Sequence, residues 1–195
     1  MTLGSTLFFT DEKTFQLGSH KHKSWQDPND RVIEEVKRHP PKIHVWGGIG
    51  LHFKTKLYFF DKNLNSTLFC KILKARLPPA ESFDLPPHGS NKWVLVQDND
   101  PKHKSAQSQK ILDILAPDRI KDWPSNSPDI NPIEDVWSMM DYELQLKPPK
   151  NIRTLKSTLR KAWAELDVSK VTASIQSLPK RLNECIQLEG QRTSY

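Results

Sequence analysis

Three carboxylates in this 195-residue sequence stand where a phosphoryl-transfer site could be assembled: Asp11, Asp98 and Glu134. Asp11 follows the apolar run Leu7-Phe8-Phe9, and Asp98 follows Trp93-Val94-Leu95-Val96. Both runs read as strands, and in open α/β sheets ligands collect beyond the carboxyl ends of strands. Glu134 stands at the start of a helix predicted to open at Asn131-Pro132. Brought to one sheet edge, the three would form an oxygen-rich cluster suited to magnesium, which takes hard oxygen ligands and keeps water and phosphate oxygens around it. Two such ions about 3.5–4 Å apart clamp the attacking and leaving oxygens of an in-line displacement. Lysine or histidine could not stand in for these carboxylates, because the cluster must offset two divalent charges.

Each member also has a plainer reading. Asp11-Glu12 after a strand is ordinary turn chemistry, and Asp98-Asn99-Asp100-Pro101 reads equally as an Asx-type turn. Asn131-Pro132-Ile133-Glu134 has the pattern of an N-cap, a proline at N1 and an acidic N3 residue, a capping box. His103 is read either as a phosphate contact or as a solvated loop residue, with Lys102 beside it as a second phosphate candidate. Singly, none of these positions decides the matter; together they point to metal-dependent phosphoryl chemistry.

The elements that must position them alternate in type. Leu7–Phe9 and Phe15–Leu17 read as a strand pair with the acidic residues at the first strand's end, followed by a polar, Pro-punctuated loop over 18–42. Ile43–Leu51 and Lys56–Asp61 are further strands. Apolar recurrence at Leu68, Phe69, Ile72, Leu73 and Leu77 predicts a helix from Ser66 that Pro78-Pro79 ends, with a Pro-rich loop over 78–91. A helix over Ser105–Leu115 and a short strand over Ile120–Trp123 follow the 93–96 strand. Beyond the turn at 124–132 the chain reads as helix. One apolar face carries Ile133, Val136, Trp137, Met140 and Leu144, and a second carries Ile152, Leu155, Leu159, Trp163 and Leu166. The last helices span roughly 169–188 with a break at Pro179. This order predicts an α/β fold, a mixed sheet with helices packed on its faces.

Composition narrows the function classes. Six Trp and eight Phe are enough to build a core, and the length suits one domain. No stretch approaches 18 apolar residues, so no membrane span is expected, and Met1-Thr2-Leu3-Gly4 does not open a signal-peptide pattern. Cys70 and Cys185 fall in no metal-ligand spacing and are expected as two buried thiols of a reduced intracellular protein. The net charge is +6, and residues 145–195, with ten Lys/Arg against four Asp/Glu, carry all of that excess. Arg153, Lys156, Arg160 and Lys161 lie opposite the second apolar stripe; such a face is either simply solvated or faces nucleic-acid phosphates.

The sequence as a whole resembles the Tc1-like branch of the Tc1/mariner transposases. Phe9-Thr10-Asp11-Glu12-Lys13-Thr14-Phe15 is similar to the segment carrying that family's first catalytic aspartate, and Val45-Trp46-Gly47-Gly48-Ile49 to its Trp-Gly-Gly strand. Val96-Gln97-Asp98-Asn99-Asp100-Pro101-Lys102-His103 resembles the segment of the second aspartate, which falls on Asp98. The block from Asp122 to Trp137 resembles the most distinctive stretch, and its glutamate falls on Glu134. Ser177-Leu178-Pro179-Lys180-Arg181-Leu182, Gly190 and Tyr195 extend the likeness to the end.

The resemblance implies an RNase H-like mixed sheet flanked by helices, with extra C-terminal helices. It implies a triad of Asp11, Asp98 and Glu134 with two Mg²⁺ (or Mn²⁺) ions. The activity implied is DNA strand cleavage at transposon ends, with water as nucleophile, then joining of the freed 3′-hydroxyl to target DNA in the nucleus. DNA is the implied partner, a homodimer is among the assemblies it allows, and Asn99 and His103 are candidates to orient substrate or ligands. Two departures accompany it. Thirty-five residues separate Asp98 from Glu134, one more than the family's commonest spacing, with the extra residue falling within 99–123. The family's paired helix-turn-helix region, which precedes its catalytic domain, has no counterpart here, so residues 1–195 are expected as a single catalytic domain with a basic helical part from about 145 to 195. The alternative reading is a truncated or domesticated remnant that binds DNA or a partner transposase without catalysis.

Overall fold

A computed structural model describes residues 6–18, 40–51, 53–78, 93–124 and 127–195. The predicted loops over 18–42 and 78–91 lie mostly outside these residues. A five-stranded mixed sheet forms the centre, in the order β3-β2-β1-β5, with β4 also paired to β2. The strands are β1 (Thr6–Gln16), β2 (Lys42–Gly50), β3 (Phe53–Lys54), β4 (Tyr58–Phe60) and β5 (Trp93–Val96). β1 runs antiparallel to β2 and parallel to β5.

β1 corrects the sequence reading. The two short strands expected around the acidic pair are one continuous strand, and Asp11 lies mid-strand, paired with Gly47 of β2. The strand expected over Ile120–Trp123 is reduced to one parallel bridge between Leu95 and Arg119, held by the Ile120 amide donating to the Leu95 carbonyl (2.9 Å).

The period-two alternation of β1 divides its side chains between two cores. Phe9 and Phe15 face a front layer built by helices α4 (Ile133–Leu146), α5 (Ile152–Ala164), α6 (Val168–Gln176) and α7 (Leu178–Gln187). Phe8 faces a back layer built by α1 (Ser66–Arg76) and α3 (Ala106–Leu115), with the four-residue α2 (Pro101–Lys104) leading into α3. Both apolar stripes read from the sequence face the front core: Val136, Trp137, Met140 and Leu144 are buried from α4, and Leu155, Leu159 and Trp163 from α5. Each such side chain contributes roughly 1.5–3 kcal/mol on burial.

Local signals explain the helix ends. Asn65 caps α1 by accepting from the Leu68 amide (2.8 Å), and Asn151 with Thr154 closes a capping box on α5. The ammonium of Lys54 donates to the carbonyls of Trp163 (2.5 Å) and Ala164 (3.0 Å), placing a cation at the C-terminus of α5. Pro179 sits in the first turn of α7, which is why the chain restarts there. Cys70 is buried and free, whereas Cys185 is only partly buried, which corrects the expected pair of buried thiols. Among the described residues, no helix is long and apolar enough to cross a membrane.

Candidate active site

Asp11, within β1, and Asp98, two residues past the end of β5, lie at equivalent positions along two neighbouring parallel chain segments. The β1–β5 ladder ends at Phe9 paired with Val96, and each aspartate stands two residues further on. Asp11 is held from the front by α4: the Trp137 indole N–H donates to its Oδ2 at 2.9 Å. Gly47, the register partner of Asp11, makes this approach feasible. A Cβ there would meet the Trp137 ring at 2.9 Å and the Trp163 ring at 3.1 Å, and those two indoles stack at 5.6 Å.

Glu134 stands one helical turn before Trp137, so the two share a side of α4. The expected capping box is absent. A 3-10 turn over Pro128–Ile130 precedes the helix, Pro132 already has αR geometry and makes no side-chain cap, and Asn131 Oδ1 is buried without a hydrogen-bond partner. Glu134 is therefore not occupied as a cap, and its charge reaches Asp11. Burial, then Glu12, then Glu134 push the Asp11 carboxyl up to about 8, against the lowering effect of its hydrogen bonds from Glu12 and Trp137. Burial also raises Glu134, with Asp135 and Asp141 adding to it and Lys13 opposing. Lys13 itself bridges to Asp141 at 3.4 Å.

Asp98 has the opposite electrostatics. Its Oδ1 lies 2.8 Å from His103 Nδ1 and accepts from the Asp100 amide at 3.3 Å, and no hydrogen bond to its Oδ2 is seen among the described residues. The side chain is 44 % exposed, and the His103 hydrogen bond holds its carboxyl below the usual range. His103 is 3 % exposed, ring-to-ring against Phe69 at 4.2 Å, so it is not a solvated loop histidine. Burial pushes its imidazole down, but Asp98 and Glu12 overcome that and raise it to about 10. Its Nε2 lies 3.4 Å from Glu12 Oε1, an ion-pair contact not aligned as a hydrogen bond. Lys102, the second phosphate candidate, pairs with Asp100 (2.5 Å) and Glu12 (3.7 Å).

Arg153, Arg160 and Lys161 are exposed and Lys156 partly so; Arg160 lies over the Phe59 ring at 4.7 Å, and Lys161 pairs with Glu165 at 3.8 Å. Asp11, Glu134 and Asp98 supply only hard oxygen donors, a set that suits a divalent cation of the magnesium type. Among the described residues no three His, Cys, Asp or Glu side chains stand close enough to hold one ion, and Asp98 is turned toward His103. Sequence reasoning misses Trp137, which reads as core alone, and Glu12, which reads as turn chemistry. The signals available are the three-residue offset from Glu134 and the opposite facing of residues adjacent to Asp11 in a strand.

A mixed sheet with β1 central, helices on both faces and carboxylates from β1, the β5 end and α4 defines an RNase H-like catalytic fold. Residues 6–156 match the family model described as DDE superfamily endonuclease. The Tcb1 transposase of Caenorhabditis briggsae is 33 % identical over 184 residues, covering 92 % of this chain and 62 % of that protein. The Tc3 transposase of Caenorhabditis elegans is 26 % identical, covering 98 % of this chain and 58 % of that protein. Among solved structures, the catalytic domain of Mos1 mariner transposase superposes with a TM-score of 0.69 at 16 % identity, covering 96 % of this chain and 84 % of that one. The Mos1 paired-end complex with Mn gives a TM-score of 0.75 at 17 % identity, covering 96 % and 56 %. The chain belongs to the DDE superfamily endonucleases, in their Tc1/mariner branch. It spans less than two thirds of the length of the Tcb1 transposase.

Proposed function

We propose that this chain carries out metal-dependent DNA strand cleavage and strand transfer, as the catalytic domain of a Tc1-like transposase acting in the nucleus. The observation that carries this reading is the Asp11–Glu134 pair: two partly buried carboxyls whose pKa values are raised by loss of solvent and by neighbouring negative charge. Such a pair is stabilised by a cation, and the relatives named above are transposases. Mos1 complexes are described with Mn and with Mg, which supports Mg²⁺ or Mn²⁺ as the ion; two per site is the number that clamping both the attacking and the leaving oxygen calls for.

Asp11, Asp98 and Glu134 would hold the ions. When bound, a pair of divalent ions lowers the pKa of the attacking water or 3′-hydroxyl and takes up charge on the leaving oxygen. The chain's own contribution is positioning. Trp137 fixes Oδ2 of Asp11, and His103 with the Asp100 amide fixes Oδ1 of Asp98, so that Oδ2 of Asp98 would be the oxygen left for an ion. Arg153, Lys156, Arg160 and Lys161 offer a phosphate-facing surface for transposon-end and target DNA, and a homodimer is compatible with this reading. In this proposal the described residues act as one catalytic domain, with the basic helices α5–α7 as its C-terminal part.

The test is nicking of supercoiled plasmid, and joining of an oligonucleotide duplex with a free 3′-hydroxyl, in the presence of Mn²⁺. The wild-type chain is expected to do both and Asp98→Ala neither. If the two proteins give the same products at the same rates, the catalytic reading is lost.

A further inference from the structure

Glu12 is the acidic neighbour of Asp11, yet it belongs to the other face of the sheet. Asp11 pairs with Gly47 beneath the front helices, whereas Glu12 pairs with Trp46, whose ring belongs to the back core. Its side chain is 15 % exposed, and its two oxygens meet His103 Nε2 (3.4 Å) and the Lys102 ammonium (3.7 Å). A carboxylate this withdrawn from water is costly unless cations face it.

His103 reaches in the other direction to Asp98. Its place is set by the chain around it. Asp100 caps α2 by accepting from the Lys102 amide (2.9 Å), Pro101 opens that turn, and Gln109 donates to the His103 carbonyl (2.8 Å). With Phe69 against the ring, the imidazole has one orientation, Nδ1 on Asp98 and Nε2 on Glu12.

The location gives this contact its meaning. Hydrogen bonding between β1 and β5 stops at Phe9 and Val96, and the two aspartates stand beyond that point. No ladder bond fixes Asp11 relative to Asp98. The chain Glu12–His103–Asp98 closes the gap where the ladder ends.

We propose that Glu12 and His103 form a strap on the back of the sheet that sets the separation of Asp11 from Asp98. Glu12 is then a positioning residue and not a metal ligand. The inference rests on the proposed metal-dependent function. The strap fixes which oxygen of Asp98 faces forward and keeps the two aspartates within reach of shared ions. Partners that orient metal ligands typically change affinity roughly 10–100-fold when removed.

The test uses the full chain with Glu12→Gln, His103→Ala, His103→Asn, and the Glu12→Gln/His103→Ala double variant. Mn²⁺ affinity is read from the electron paramagnetic resonance signal of free Mn²⁺, and metal-free thermal melts report the fold separately. Each single variant, His103→Asn excepted, is expected to bind Mn²⁺ roughly 10–100-fold more weakly. The double variant is expected to be no weaker than the worse single, because both remove one strap. In His103→Asn the amide nitrogen takes the place of Nδ1 on Asp98 and recovers part of the affinity. Multiplying effects, or wild-type affinity in Glu12→Gln or His103→Ala, would overturn the strap while leaving the catalytic reading intact. A wild-type chain that binds no Mn²⁺ overturns both. If His103→Ala does not fold, Glu12→Gln decides, and unchanged affinity there rejects the strap.

Discussion

The indole N–H of Trp137 donates to Oδ2 of Asp11 at 2.9 Å across a gap that Gly47 leaves open. One residue thus connects α4 to the carboxylate of β1, and the same helix delivers Glu134 one turn earlier. Trp137→Phe removes the donor together with the outer part of the indole that lies over Gly47, so urea unfolding is measured beside activity to separate lost packing from the lost hydrogen bond. A single hydrogen bond to a charged group is worth about 1.5–3 kcal/mol, so strand cleavage is expected to fall by roughly tenfold or more. Losing the donor also raises the Asp11 carboxyl further, so the rise of activity with pH moves to higher pH. Initial nicking rates across pH 6–9.5 measure both effects, and an unshifted profile at wild-type rate removes Trp137 from the site.

Gly47 is needed for space and not for backbone conformation. Alanine there places a Cβ 2.9 Å from the Trp137 ring and 3.1 Å from the Trp163 ring, both buried and stacked. Overpacking of this kind costs about 1–3 kcal/mol. Gly47→Ala is expected to lose that much in urea unfolding and to lower activity as Trp137 is displaced. A change below about 0.5 kcal/mol, the range of neutral surface substitutions, would show that the two indoles yield freely.

Much of this arrangement is legible in the sequence, and the exceptions have physical causes. The apolar stripes of α4 and α5 are readable because helical periodicity directly reports a buried face. β1 misleads because Asp11-Glu12 looks like a solvated turn; nothing local shows that β2 covers one edge and α4 covers Asp11 itself. Glu134 looks like a capping residue because Asn-Pro-x-Glu fits that pattern. The 3-10 turn at 128–130 moves the helix start to Ile133 and leaves Asn131 without its role. His103 is ambiguous in the sequence because its burial depends on Phe69, thirty-four positions earlier.

The Asp11 carboxyl, raised from an ordinary 3.8 to about 8, makes metal-free stability pH-dependent. Between those values the folded chain retains a proton that the unfolded chain has released. Stability from this group is therefore full below about pH 4 and is lost as pH rises toward 8. His103, raised to about 10, adds a loss in the same direction at higher pH. Asp11→Asn is expected to flatten the slope of Tm between pH 5 and about 8 and to leave the later fall in place. Mn²⁺ should reverse the wild-type trend, because the ion competes with that proton and is bound better as pH rises. A wild-type Tm that climbs from pH 5 to about 8 without metal contradicts the burial argument.

Arg153, Lys156 and Arg160 share the outer face of α5 and carry no carboxylate partner among the described residues. Replacing all three by Gln is expected to weaken binding to any DNA duplex by a similar factor, whatever its sequence. For B-DNA the slope of log affinity against log salt should shrink by about 0.9 for each phosphate that is no longer neutralised, so by up to about 2.7. Fluorescence anisotropy from 50 to 200 mM salt gives the slope. An unchanged slope means that this face is merely solvated.

Arg181 holds the helix start that carries Glu134. It is 3 % exposed, pairs with Asp135 next to Glu134, donates to the Asp129 carbonyl (3.0 Å) and Ser177 Oγ (2.7 Å), and lies under the Tyr195 ring at 4.6 Å. Removing one partner of a buried pair costs about 3–5 kcal/mol, mostly because the other charge is left uncompensated. Asp135 is about one third exposed, which places Arg181→Met near the lower end of that range. The uncompensated charge can be tested directly. Arg181→Met with Asp135→Asn should unfold at a higher urea concentration than Arg181→Met alone, since the stranded carboxylate is gone. Nicking activity should follow stability only in part, because neither variant restores the anchor that fixes the turn at 128–130. If the double variant is the less stable of the two, the pair contributes through packing and not through charge.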